Sequence, residues 1–252
     1  MRNVELDKKR INEELWKCIV EEHKKNGNRG VLTMLRNLVG ARQDLRDNSG
    51  RSIDSDSRSA LVGAVGELAL KYVLNCYIKE RGIKAKVFQS VITGDANNLQ
   101  SSYATETDIV MVTPSVVLCF ECKSYAGDIT VVDKGKLLRS VGNNHDLYEQ
   151  SRKHHSSMAP YLGKGMTRGD RSKPPICSSA FIFSNARLID KRTEEWQRSF
   201  IILTLKDVYP YLDLALSKYQ TPVYDFDIVC RLMRVSSNSK SLREKHKNYV
   251  GY

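Results

Sequence analysis

Hydrophobic positions along the chain fall into two periods, and the changes between them mark out the elements. Over residues 1–26, Val4, Ile11, Leu15, Cys18 and Ile19 make an apolar stripe among charged neighbours, the spacing of an amphipathic helix. Asn26-Gly27-Asn28 breaks it, and Leu32, Leu35, Leu38 and Val39 predict a second helix over 30–46. Residues 47–57 are rich in Ser, Asp, Asn and Gly and predict a loop, where Asp54 and Asp56 suit turns or helix caps. A third helix follows over 58–78. Its apolar residues (Leu61, Val62, Val65, Leu68, Leu70, Val73, Leu74, Tyr77) surround most of the circumference, so it is expected to be buried, and Gly82 ends it.

The period then shortens to two. Residues 85–93 predict a strand, 94–105 a polar loop, and 107–112 and 116–123 two strands joined at Thr113-Pro114-Ser115. A short strand is expected over 129–132 within the mixed segment 125–139. Helix returns over 146–162, followed by a basic, Gly-rich stretch at 163–173 and strands over 176–183 and 200–205. Helices over 206–219 and 225–235 precede a polar, basic tail. Helix, three strands, helix, strand is the order of an α/β core, here 56–205, with helical additions at 1–55 and 206–252.

Composition narrows the class. With 41% hydrophobic and 27% charged residues in 252, the chain can bury a core without disulfide or metal staples. A net charge of +11 points to a polyanionic partner, nucleic acid first, with a membrane surface or simple solubility as alternatives. Five of the six cysteines lie in apolar periodic segments, as buried free thiols do in a reducing compartment. Cys119 and Cys122 form a CxxC, but strand alternation sends them to opposite faces and no second pair follows, which argues against a zinc or iron–sulfur site. The charged N-terminus has no signal-peptide core, and no apolar run reaches the ~20 residues of a membrane span. A cytoplasmic protein without a membrane partner is expected.

The chemistry concentrates in 116–123. The strand is apolar on both alternating faces, so it is covered on both sides, and Glu121 and Lys123 at its end are costly unless paired or metal-bound. They are two residues apart and share a face. A four-residue turn over 113–116 would pair 112 with 117, 110 with 119 and 108 with 121. Asp108 and Glu121 would then meet with Cβ atoms about 5 Å apart. Two carboxylates that close repel unless a cation lies between them, and hard oxygen donors select Mg²⁺, with Mn²⁺ as substitute. The plainer alternative is a surface ion pair of Glu121 and Lys123 beside a strand-start Asp108.

An Asp on one strand and Glu-x-Lys on the next resembles the PD-(D/E)xK nuclease superfamily, and most closely its nuclease-related domain (NERD). The residues carrying the resemblance are Gly63-Ala64-Val65-Gly66-Glu67, Asp108, Glu121-Cys122-Lys123, Gly127-Asp128-Ile129 and Gln150. It implies a restriction-endonuclease-like core, an α-β-β-β-α-β mixed sheet flanked by helices. It also implies Mg²⁺-dependent hydrolysis of phosphodiester bonds, in DNA foremost. Asp108, Glu121 and the Cys122 carbonyl would hold the metal, Glu67 would contact metal or water, Lys123 would assist the attacking water, and Gln150 would touch the site or a phosphate. A solvated helix-surface amide is the competing reading of Gln150. His154 and His155 read as exposed helix residues or as phosphate contacts. Gly63, one turn before Glu67, is expected to let its helix approach the sheet.

Lys153, Lys164, Arg168, Arg171 and Lys173, and Lys240, Arg243, Lys245 and Lys247 in the tail, are candidates to neutralise phosphates without reading sequence. No P-loop is present, so any helicase motor would be a separate chain, and a homodimer stays open. A nuclease-fold protein that binds nucleic acid without cutting is the alternative function.

Overall fold

The computed structural model describes residues 8–41, 54–94, 104–139, 145–165, 174–184 and 187–250. Predictions resting on 42–53, 95–103 and 166–173, including the phosphate roles of Arg168, Arg171 and Lys173, lie outside the described residues, as do the side chains of Lys164, Lys245 and Lys247.

The two expected N-terminal helices are one kinked helix, α1 (Lys8–Gly40), in which Gly27 takes φ 63° and ψ −161°. Only glycine reaches that backbone region readily, so the predicted break becomes a bend. Helix α2 (Ser55–Arg81) starts at Asp54, whose carboxylate accepts from the backbone N–H groups of Asp56 and Ser57, and ends at Gly82 with φ 61°. By length and composition α2 could cross a membrane, against the expectation that no segment would. Most of it is buried here as the central helix of the fold.

Five strands form the main sheet in the order β1-β2-β3-β7-β9: β1 (Lys86–Gly94), β2 (Ala104–Val112), β3 (Val117–Tyr125), β7 (Ile176–Ser184) and β9 (Ile201–Leu203). The first two neighbouring pairs are antiparallel and the last two parallel, so the sheet is mixed and the architecture α/β. The β2–β3 register is the expected one, Val112 opposite Val117 and Val110 opposite Cys119. Thr113 fixes the turn: its hydroxyl accepts from the N–H groups of Ser115 and Val116, and its own N–H donates to the Val116 carbonyl.

Helices α1, α2 and α5 (Val208–Lys218) cover one face, packing on Ile109, Met111, Leu118, Phe120 and Cys122. Helices α3 (Leu147–Gly165) and α6 (Phe226–Asn238) cover the other, through Met158, Leu162, Val229 and Met233 against Val110, Val117 and Cys119. Cys119 and Cys122 thus do face opposite ways. A second sheet, not foreseen as a sheet, has the order β6-β5-β4-β8: the expected strand β4 (Ile129–Val132) with β5 (Lys136–Arg139) and β6 (His145–Asp146), all between β3 and α3, and β8 (Leu188–Asp190), which follows β7. A short helix α4 (Glu194–Ser199) follows, tied down by buried Arg192, which donates to the Asp190 carboxylate and to the carbonyls of Trp196 and Phe200. The expected polar tail is instead helix α7 (Lys240–Val250), anchored by Leu242 against Ile92 of β1.

Candidate active site

The β2–β3 ladder ends at Ile109 opposite Phe120, and Asp108 and Glu121 are the next residues on each strand. Alternation places both on the α3 face with Val110 and Cys119. The expected 108–121 pair falls one step past the end of the ladder, and each acid has its own partners. Asp108 Oδ2 accepts from the backbone N–H of Cys122 at 2.8 Å, which pins it across the strand gap. Glu121, only 7% exposed, turns instead to two cationic or donor groups. Its Oε1 accepts from Lys123 Nζ at 2.5 Å, and its Oε2 lies 3.2 Å from His154 Nδ1.

These contacts set the charges. Burial acts to lower the Lys123 pKa, but Glu121 and Asp108 beside it act the other way and leave it raised, so the ammonium stays charged. His154 is pushed down to about 4, by burial first and by the Lys123 charge next, so its imidazole is neutral near pH 7. A neutral ring beside Glu121 adds no charge to the site.

Glu67 enters from the other side of the sheet. It is buried on α2, and its charge, with those of Asp108 and Glu121, adds to the burial that raises the Cys122 thiol well above its usual value. The close approach of α2 comes from Gly66, not from Gly63 as expected. A Cβ on Gly66 would lie 1.9 Å from Ser124 Oγ and 3.3 Å from Ser124 Cβ, whereas one on Gly63 would meet open space. The helix turn carrying Glu67 therefore rests directly on the strand carrying Glu121 and Lys123.

Helix α3 runs antiparallel to β3. Met158 and Leu162 share a cluster with Val117 and Cys119, His154 Nδ1 lies 3.2 Å from Glu121, and Leu147 shares a cluster with Tyr125. Gln150, one turn before His154, accordingly falls beside the Lys123 end of the strand. Its Oε1 is buried and makes no hydrogen bond among the described residues. An amide oxygen so placed costs about 1–3 kcal/mol unless water or a ligand supplies a donor.

Two further groups were missed in the sequence. Glu106 lies two residues before Asp108, on the same strand face, and α7 brings His246 to 3.8 Å from it. Their charges act on His154 as well, so α7 borders the site. For Glu106 the signal was present, its i,i+2 spacing from Asp108; for His246, about 140 residues further along the chain, no local spacing could give one. His155, by contrast, is exposed. Exposed Lys153 lies 4.0 Å from Glu149, and exposed Arg243 donates to the Ser237 carbonyl.

Among the described residues, no group of three or more His, Cys, Asp or Glu side chains is arranged to hold a metal ion, a different arrangement from the expected two carboxylates with the Cys122 carbonyl. Glu121 contacts Lys123 and His154, Asp108 accepts from the Cys122 N–H, and Glu67 comes from the opposite face. In kind the donors still suit a hard divalent cation, being carboxylates beside an amide oxygen in need of a partner.

Residues 62–184, which carry every one of these acids together with Lys123, Gln150 and His154, match the nuclease-related domain family. The chain carries a nuclease-related domain. Helices α1, α5, α6 and α7 lie outside the matched residues, and α7 nonetheless reaches the candidate site. No curated protein matches the chain. A solved structure, protein VC1899 from Vibrio cholerae, is similar at 14% identity and a TM-score of 0.37, over 86% of this chain and 52% of that one. The chain thus spans about half the length of that protein.

Proposed function

We propose that the protein is a metal-dependent nuclease that hydrolyses phosphodiester bonds of DNA. The observation carrying this reading is the convergence of Asp108, Glu121 and a charged Lys123 on one sheet face within a nuclease-related domain. Asp108, Glu121 and the Cys122 carbonyl would hold a Mg²⁺ ion, or Mn²⁺ in its place, with Glu67 contacting a second ion or a water. The chemistry such an ion supplies when bound is Lewis acidity toward a phosphate oxygen and a bound water of lowered pKa.

The chain's own residues divide the remaining work. Lys123 carries a fixed positive charge to the phosphate oxygens, where negative charge grows in the transition state. His154 holds one Glu121 oxygen in place and keeps that carboxylate from swinging away. Gln150 offers an unsatisfied acceptor at the strand end for a water or a nucleotide donor. Surface cations such as Lys153 and Arg243 suit nucleic acid contact without sequence reading.

The test is a substrate panel. Linear, circular, nicked, branched and single-stranded DNA, and RNA, are incubated with the protein in Mg²⁺, Mn²⁺ or EDTA, beside Asp108→Ala and Lys123→Ala. Cleavage of DNA that needs the divalent ion and disappears in both variants is expected. Cleavage surviving both substitutions would remove the site assignment, and binding without cleavage in every condition would favour a non-cutting nucleic-acid-binding protein.

A further inference from the structure

A second feature lies one strand away from Lys123. Residues 182–184 of β7 pair in register with Lys123, Ser124 and Tyr125 of β3, and they form one wall of a cleft of about 540 Å³. Neighbouring strands lie about 4.8 Å apart, so the cleft adjoins the candidate site along the same edge of the sheet. Three cations from three different segments line it: Arg36 of α1, Arg187 before β8, and Lys206 after β9. All three are exposed at the cleft surface.

The acids in the cleft are already engaged. Asp190 takes two hydrogen bonds from the Arg192 guanidinium, at 3.0 and 2.8 Å. Asp207 accepts from both the N–H and the hydroxyl of Thr204, at 3.0 and 2.5 Å. Arg187 has Asp128 as a partner, but at 3.8 Å and with both side chains more than half exposed, a pair worth little in water. Arg192 offsets Asp190, and the three exposed cations outnumber the carboxylates that remain, Asp207 in the cleft and Asp128 beside Arg187. None of the three cations lies within 62–184, so the matched domain brings the acids and the flanking segments bring the counter-charge.

We propose that this cleft is a phosphate-binding subsite for the DNA strand beside the scissile bond, with Arg36, Arg187 and Lys206 on its phosphodiesters. The proposal rests on the nuclease reading above and adds where the strand runs: from the acidic site across β7 towards β9. Contacts of this kind fix position and register and are indifferent to sequence.

The test uses the full chain in EDTA, so that nothing is cut, with short fluorescent single-stranded and duplex DNA followed by anisotropy over a salt series. Arg36→Ala/Lys206→Ala is compared with Lys24→Ala/Lys79→Ala, an equal loss of charge from exposed residues beside a different cavity, between α1 and α2. Thermal unfolding confirms that both variants are folded. The cleft variant is expected to bind DNA at least about tenfold more weakly, with a salt slope smaller by about 2, one unit for each phosphate no longer neutralised. The control pair is expected to keep the wild-type slope. Equal weakening in both variants, or none in either, would overturn the subsite while leaving wild-type binding and cleavage intact. No binding by the wild type in EDTA, with cleavage in Mg²⁺ retained, would overturn the subsite alone; no binding in EDTA and no cleavage in Mg²⁺ or Mn²⁺ would overturn the nuclease reading and the subsite together.

Discussion

Replacing Gly66 with alanine puts the approach of α2 to the sheet to a numerical test. The new methyl would sit 1.9 Å from Ser124 Oγ, which can rotate away, and 3.3 Å from Ser124 Cβ, which moves only with the β3 backbone. Overpacking of this size costs about 1–3 kcal/mol. Alanine also gains about 1 kcal/mol over glycine in a helix interior. The expected net is a loss of about 1 kcal/mol, a fall of about 2–4 °C in melting temperature for a chain of this size. Gly63→Ala has no neighbour within 4 Å and is expected to stabilise by the full propensity gain of about 1 kcal/mol. Making Gly66→Ala in a Ser124→Gly background leaves only Phe183 Cβ at 3.7 Å, an ordinary contact, and should turn the loss into a gain. Circular-dichroism melts of the single and double variants read all of this as a coupling of about 1–3 kcal/mol. If Gly66→Ala and Gly63→Ala stabilise alike, and the Ser124 background changes nothing, the close approach is wrong.

Further expectations follow from the polar contacts. His154→Ala should lower kcat with little change in KM, because it frees one Glu121 oxygen without touching substrate, and His154→Asn, which keeps a donor, should recover part of the loss; a change confined to KM would contradict the positioning role. Asp190 has its pKa lowered: burial acts to raise it, but the Arg192 hydrogen bonds and charge outweigh that. Its ionised form therefore adds stability above the unfolded value of about 4, lost as pH falls through the lower folded value. The melting-temperature gap between wild type and Asp190→Asn should be open at pH 7 and closed in strong acid, and a gap that widens in acid would reverse the sign. Leu242→Ala should undock α7 from Ile92 and lower stability by about 1–2 kcal/mol, at the mild end for a buried leucine because this cluster is small; an unchanged melt would show α7 is not anchored there.

The parts of this fold that were legible are those whose pattern is local. The circumferential apolar residues of α2 and the alternation through β2 and β3 each lie in one continuous segment, and the Thr113-Pro114-Ser115 turn left a single register for the hairpin. Of the second sheet only β4 was legible; its other strands are two to four residues long, and β8 joins β4 across a long separation, Leu188 with Ile129. Too few alternations fit in such strands to declare a period. Helix α7 looked like a tail because, among the described residues, its apolar cluster is Leu242 with Ile92, and no stripe can be read from one leucine. In the site, Asp108, Glu121 and Lys123 were legible from strand geometry. The contact of His154 with Glu121 was not, since two adjacent histidines on one helix give no sign of which turns inward. Gly63 and Gly66 present the same ambiguity, settled only by the strand that passes beneath Gly66.

The most direct measurement is single-turnover cleavage of DNA in Mg²⁺ by Glu121→Gln, which keeps the size of the side chain and removes its charge. If the carboxylates and Lys123 form the cleavage centre, the rate should fall by at least about 10³-fold, as expected when a principal electrostatic contributor is lost, while DNA binding in EDTA stays within a few-fold of wild type. Cleavage by Glu121→Gln at a rate near that of the wild type would contradict the assignment of this site.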